Sequence, residues 1–160
     1  MSSPPIRGRA MRTFQTSTEI RAPAEHVWEI QTDVARWPEW TGSVSSVEAL
    51  TPLPLAVGSS VRLSQPGFPA AIWTVTALEP GVHFVWESRS PGMKAVAQHM
   101  VTPTASGCVV DLCVVYEGLL GGVIGFLMRH VTKRFLAMEA SGLKWQAENL
   151  PEEELAFNAS

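Results

Sequence analysis

His99 and Tyr116 are the side chains of this 160-residue chain best suited to moving a proton on a bound molecule. His99 shares strand parity with Ala97 and Val101, so its imidazole would stand among apolar neighbours. There it could donate a hydrogen bond to a carbonyl or act as a general acid or base near neutral pH. Tyr116 is the only tyrosine, and an inward hydroxyl there would orient a phenolic or carbonyl ligand. Each group also has a structural reading, satisfied by a backbone carbonyl or a hydroxyl. Glu87 and Arg89 share one face of their strand and, with Trp86 pointing inward, form a solvated ion pair; a one-residue slip would bring both inside. Asp111 and Glu117 read as surface. His26, His83 and His130 match no zinc-ligand spacing, so no metal site is expected. Cys108 and Cys113 point to opposite faces of one strand and should not bond to each other. No Gly-rich phosphate loop, dinucleotide fingerprint or nucleophile elbow is present, and no cofactor is expected.

These groups need strands to present them. Alternation and Pro/Gly punctuation predict seven strands, at 13–20, 43–50, 60–65, 70–79, 83–90, 94–102 and 108–117. The connections are too short for crossover helices, so the strands form an antiparallel meander that curls. Between the first two strands, Pro23 and Glu25 suit the first turn of a short helix. Asp33 is expected to cap a second short turn, which Pro38 ends. From 120 to 149 the period becomes helical, with Ile124, Leu127, Val131, Phe135, Met138, Gly142 and Trp145 as one stripe. Gly121, Gly122 and Gly125 weaken the start of that helix. The inward sheet face comprises Trp73 and Val75, Phe84 and Trp86, Ala97, His99 and Val101, and Leu112, Val114 and Tyr116. It is a core face or a ligand wall, with small residues at Ala95 and Ala97 opposite bulky tryptophans.

Composition narrows the class. With 46% hydrophobic residues and a net charge of −3, the chain can build one core and offers no basic face for nucleic acid. No Lys/Arg run is long enough to suggest an anionic membrane patch. The apolar run 119–128 is too short to span a bilayer, which needs about 20 residues. The first ten residues lack a secretory core segment, which gives a cytoplasmic expectation. Three units are read: a flexible segment 1–10, a domain 11–150 and an acidic tail 151–160.

The pattern Pro23-x-x-x-Val27-Trp28, then Asp33, then Trp37-Pro38-x-Trp40, resembles the START-like (SRPBCC, Bet v 1-like) superfamily, most closely its bacterial polyketide cyclase/dehydrase-type branch. Val57-Gly58, Leu78-Glu79-Pro80 and the strand opening Gly107-Cys108-Val109-Val110 extend the resemblance over 11–149. It implies an α+β helix-grip fold: a curved seven-stranded antiparallel sheet around a long C-terminal helix, with two short helices after the first strand. It also implies an internal cavity, walled by the inward residues above together with Leu127 and Val131 of the helix. The first reading is a binding module for a hydrophobic small molecule: a lipid, isoprenoid, quinone or polyketide. An alternative is a cofactor-independent cyclase or dehydratase in which His99 and Tyr116, with Arg89, position a poly-β-ketone and promote enolisation and loss of water. A third is a protein-interaction module presenting Leu119, Leu120 and Val123. The oligomeric state is left open.

Overall fold

The computed structural model describes residues 11–150; the segments 1–10 and 151–160, assigned above to a flexible start and an acidic tail, lie outside the described residues. In chain order the elements are β1 (Arg12–Ile20), α1 (Ala24–Thr32), a 3-10 turn (Val34–Arg36), α2 (Trp37–Trp40), β2 (Ser46–Ala49), β3 (Ser60–Ser64), β4 (Ala71–Glu79), β5 (His83–Ser90), β6 (Met93–Thr104), β7 (Gly107–Glu117), α3 (Gly121–Leu127) and α4 (Arg129–Asn149). The strands form one sheet in the order β1-β7-β6-β5-β4-β3-β2, every neighbouring pair antiparallel. Only β1 joins out of sequence, docking on β7, because the helical pair carries the chain across before the meander begins.

Register fixes which side chains share the inner face. Val75 pairs with Trp86, Trp86 with Ala97, Ala97 with Val114, and Val114 with Phe14. One rung away, Phe84 pairs with His99 and His99 with Leu112. The one irregularity is a bulge in β4 between Val75 and Ala77. Trp73 and Val75 precede it, so their parity is unaffected.

The helical expectations need four corrections. Asp33 makes no side-chain cap; its backbone carbonyl accepts from Arg36 N at 3.1 Å instead. Pro38 does not end a turn but sits in the first turn of α2, where its missing N–H has no partner to lose. The single C-terminal helix is two, separated at Met128. Its buried face is also rotated: Thr132, Leu136, Ala140, Leu143 and Ala147 are buried, whereas Leu127 and Trp145 are 69% and 60% exposed. Val131, Phe135, Met138 and Gly142 of the expected stripe are half-buried. The reason is geometric: α4 rests on β1 and the short helices, while Val131 and Phe135 line a cavity and Trp145 faces solvent.

Close approach explains Gly142. A Cβ there would lie 2.0 Å from the carbonyl oxygen of Trp40, so α4 rests directly on the backbone of α2. Alanine at a helix interior normally gains about 1 kcal/mol over glycine. Here Gly142→Ala is expected to reverse that sign and destabilise by about 1–3 kcal/mol, the usual range for overpacking. A urea midpoint at or above that of the parent chain would contradict the contact.

Two polar ties fix the C-terminal part of the long helix. His26, 2% exposed, donates from Nε2 to the carbonyl of Leu150 at 3.0 Å, and Lys144 Nζ donates to the carbonyl of Glu19 at 2.6 Å. Among the described residues no helix is long and apolar enough to cross a membrane.

Candidate functional site: a cavity between the sheet and α4

A cavity of about 590 Å³ opens between the inner sheet face and α4. Eight of the expected site residues line it: Trp73, Trp86, Ala97, His99, Leu112, Val114, Tyr116 and Val131. Val75, Phe84 and Val101 share the face but are closed in the packed core at 1%, 0% and 2% exposure. Leu127 is placed outside: with α3 broken from α4, its side chain faces away from the cavity and into solvent. Ala95 and Ala97 leave the β6 stretch of the wall low, while tryptophans supply its bulk.

The aromatic wall is a cluster of edge-to-face and tilted contacts. Trp37 contacts Trp40 at 5.7 Å and Trp86 at 5.3 Å between ring centroids, and Trp86 contacts Trp73 at 5.7 Å. Sequence placed Trp37 in the signature helix but not at the site. Its indole N–H donates to the carbonyl of Gln31 at 3.0 Å, which holds the ring against the sheet.

His99 lies at the inner end of the cavity, 4% exposed. Its ring stacks on Phe84 with centroids 4.3 Å apart and planes 8° from parallel. Stacking occupies the faces of the imidazole, so only in-plane partners can reach its nitrogens. On one side Nε2 lies 3.0 Å from Oε1 of Glu139 on α4. This is a close approach rather than an aligned hydrogen bond: His99 Nδ1 and Glu139 Oε1 are both buried without a hydrogen-bond partner. Trp73 Nε1 is likewise buried and unpartnered. Glu139 is the cavity-lining acid that sequence reasoning missed. An acid one turn beyond Phe135 reads as a solvated helix residue, and the clue available was its place beside the Val131, Phe135 row.

Tyr116 is tied differently. Its hydroxyl shares a 2.8 Å hydrogen bond with Thr132 Oγ1, and its ring meets Phe14 edge-on at 6.1 Å. The phenol therefore joins β7 to α4 at the cavity's rim. Burial holds it above its ordinary 10.0, opposed in part by the Thr132 hydrogen bond. As the folded state retains a proton that the unfolded chain has released, this contribution is complete below pH ~10 and is lost as pH rises above it. We expect the single tyrosine to titrate above 10.0 in ultraviolet absorbance of the native protein and to move higher in Thr132→Val. A native titration at or below the ordinary value would refute the burial.

Glu87 and Arg89 pair at 2.9 Å, with Lys94 bridging Glu87 at 3.7 Å and Glu117 at 3.1 Å; Arg89, its side chain largely exposed, is among the residues that border the cavity. Cys108 and Cys113 are free; burial raises both thiols above their usual range, which disfavours the thiolate.

The sequence model for polyketide cyclase / dehydrase and lipid transport proteins matches residues 11–148. The chain belongs to that family. Its fold is that of the Bet v 1-like, helix-grip proteins. The ZhuI aromatase/cyclase from Streptomyces sp. R1128 superposes with a TM-score of 0.70 at 18% identity, over 86% of this chain and 94% of its own. Norcoclaurine synthase from Thalictrum flavum superposes with a TM-score of 0.70 at 15% identity, over 94% of this chain and 100% of its own. The di-domain aromatase/cyclase StfQ of the steffimycin pathway superposes at 0.69 and 16% identity, but this chain matches only 52% of it. At these identities the likeness is one of fold. No curated protein sequence is similar enough to this chain to count as a relative.

Proposed function

We propose that this protein binds a hydrophobic small molecule, such as an isoprenoid, quinone, lipid or polyketide-like ligand, in the cavity under α4. The observation that carries this reading is the cavity itself, about 590 Å³ and walled chiefly by aromatic and aliphatic side chains. That volume falls within the roughly 300–1,000 Å³ typical of small-molecule sites. The unpartnered Trp73 N–H and His99 Nδ1 supply the few polar anchors such a site needs for orientation. Family membership supports the same class of ligand.

The His99–Glu139 pair favours a second reading, proton-transfer chemistry on that ligand. One member would take an acidic proton from the carbon between two ketones, the resulting enolate carbon would attack a carbonyl further along the chain, and the protonated member would return that proton to the alkoxide so formed; removal of the second proton from the same carbon and its delivery to the hydroxyl would then release water and leave a carbon–carbon double bond. The cavity contributes by folding the substrate into a reactive conformer, and the pair contributes proton transfer. Tyr116, already bonded to Thr132, would orient rather than react.

Native mass spectrometry of the purified protein, with extraction of what co-purifies, tests the binding reading. One stoichiometric hydrophobic molecule is expected, absent from Ala97→Phe, which fills the low part of the wall. A protein that arrives empty and then takes up no quinone, isoprenoid, lipid or polyketide mimic would show the reading to be wrong.

A further inference from the structure

Among the described residues, five of the exposed large apolar side chains fall within one nine-residue stretch. Leu119, Val123 and Leu127 are 77%, 61% and 69% exposed, and Leu120 and Phe126 are each 48% exposed. All five belong to α3 and the turn leading into it. From Gly118 to Met128 there is no hydrogen-bonding side chain, and from Gly118 to Met138 there is no Asp or Glu. A contiguous patch of this kind is uncommon on a surface that meets only water.

Cations frame it. The guanidinium of Arg129 lies 4.1 Å from the centroid of the Phe126 ring, and that of Arg12, brought in by β1, lies 5.5 Å from it. Lys133 and Arg134 are exposed on the next turn of α4. Among the described residues, none of these four has a carboxylate within ion-pair distance, whereas Arg36, Arg62, Arg89, Lys94 and Lys144 all do. No run of basic residues announces this in the sequence, because the charges are gathered from β1 and α4. In a chain of net charge −3, the patch is locally cationic.

The patch adjoins the cavity. Met128, at the break between α3 and α4, lines the cavity with Val131 and Tyr116. Gly125 backs onto Arg12 and Tyr116 so closely that a Cβ would lie 2.5 Å from Arg12 Cβ. Leu120 N donates to the carbonyl of Gly92 at 2.9 Å, tying the segment to the β5–β6 turn.

We propose that α3 is a peripheral docking surface for an anionic lipid bilayer, with Leu119, Val123, Phe126 and Leu127 entering the headgroup region and Arg12, Arg129 and Lys133 meeting lipid phosphates. Apolar side chains flanked by basic ones are the pattern of an interfacial segment. A protein partner is less suited to this surface, since protein interfaces carry about one hydrogen bond per 100–200 Å² and this stretch offers no side chain to make one. A second copy meeting it about a two-fold axis would bring unpaired guanidinium groups together. Docked in this way, the α3–α4 end of the cavity faces the lipid phase, from which a hydrophobic molecule could pass without crossing water. The proposal rests on the exposed surface alone and stands whether or not the cavity is occupied.

Co-sedimentation of the full chain with vesicles of phosphatidylcholine, with and without phosphatidylglycerol, tests it. Binding is expected only with phosphatidylglycerol, should fall steeply as salt is raised, and should drop roughly tenfold or more in Arg129→Glu and in Val123→Asp/Leu127→Asp. Val123 and Leu127 are exposed, and Arg129 is half-buried with one side-chain hydrogen bond, to the carbonyl of Phe126 at 2.8 Å, so the variants should stay folded, with melting temperatures close to that of the parent. The proposal is overturned if neither vesicle binds the protein, if the variants bind as the parent does, or if ultracentrifugation shows a dimer that Val123→Asp/Leu127→Asp dissolves. Because no cavity ligand enters the assay, its failure leaves the mass-spectrometric result untouched, and the reverse holds too.

Discussion

Alanine at Trp37 is expected to destabilise this protein by about 3–5 kcal/mol, the range for removing a buried aromatic side chain. The ring is 2% exposed and touches Trp40, Trp86 and His99. Its loss leaves a void between α2 and the sheet and strands the carbonyl of Gln31, which accepts the indole N–H. Trp37→Phe separates the two effects, keeping most of the packing while losing the hydrogen bond, and should cost about 1–2 kcal/mol. Urea denaturation measures both; equal midpoints for the two variants would mean that ring volume is not what Trp37 supplies.

Glu139→Gln is expected to leave ligand affinity within about tenfold while lowering turnover by roughly 10²–10⁴-fold if the cavity performs chemistry, the usual range for loss of an acid/base group. The substitution is nearly isosteric and keeps an acceptor oxygen facing His99 Nε2, which lies 3.0 Å away, so shape is preserved while the proton acceptor is lost. It is a cleaner probe than His99→Leu, which would leave the Glu139 carboxylate buried beside an apolar side chain. Single-turnover rates and equilibrium binding on the extracted ligand decide the matter. A parallel loss in both would make the pair a binding anchor, and the carrier reading would then hold alone.

The same pair shows where sequence reading stops. His99 was identifiable because strand parity has period two and its neighbours on that parity are apolar; the observed pairings Phe84 with His99 and His99 with Leu112 are what alternation predicts. The bulge after Val75 did not propagate, since each strand's parity is set by its own residues. Glu139 was not identifiable. Helical periodicity locates a buried face by collecting apolar side chains, but the buried residues of α4 include the polar Thr132 and Gln146 and the small Ala140 and Ala147, and its closest backbone approach is at Gly142. Val131, Phe135 and Glu139 border the cavity instead. A helix that flanks a hollow is selected for fit against the wall and for what it presents inward, so its most apolar stripe and its most buried stripe need not coincide.

The sequence by itself determined the element types, the antiparallel meander, the inward parity of the sheet and the family, because local alternation, turn residues and the tryptophan-rich helical pair are properties of short stretches. Only the tertiary structure decided the rotation and break of the C-terminal helix, the meeting of His99 with Glu139, and the gathering of Arg12 with Arg129 around Phe126. Each of these joins residues far apart in the chain, and their distances are set by how α3 and α4 rest on the sheet.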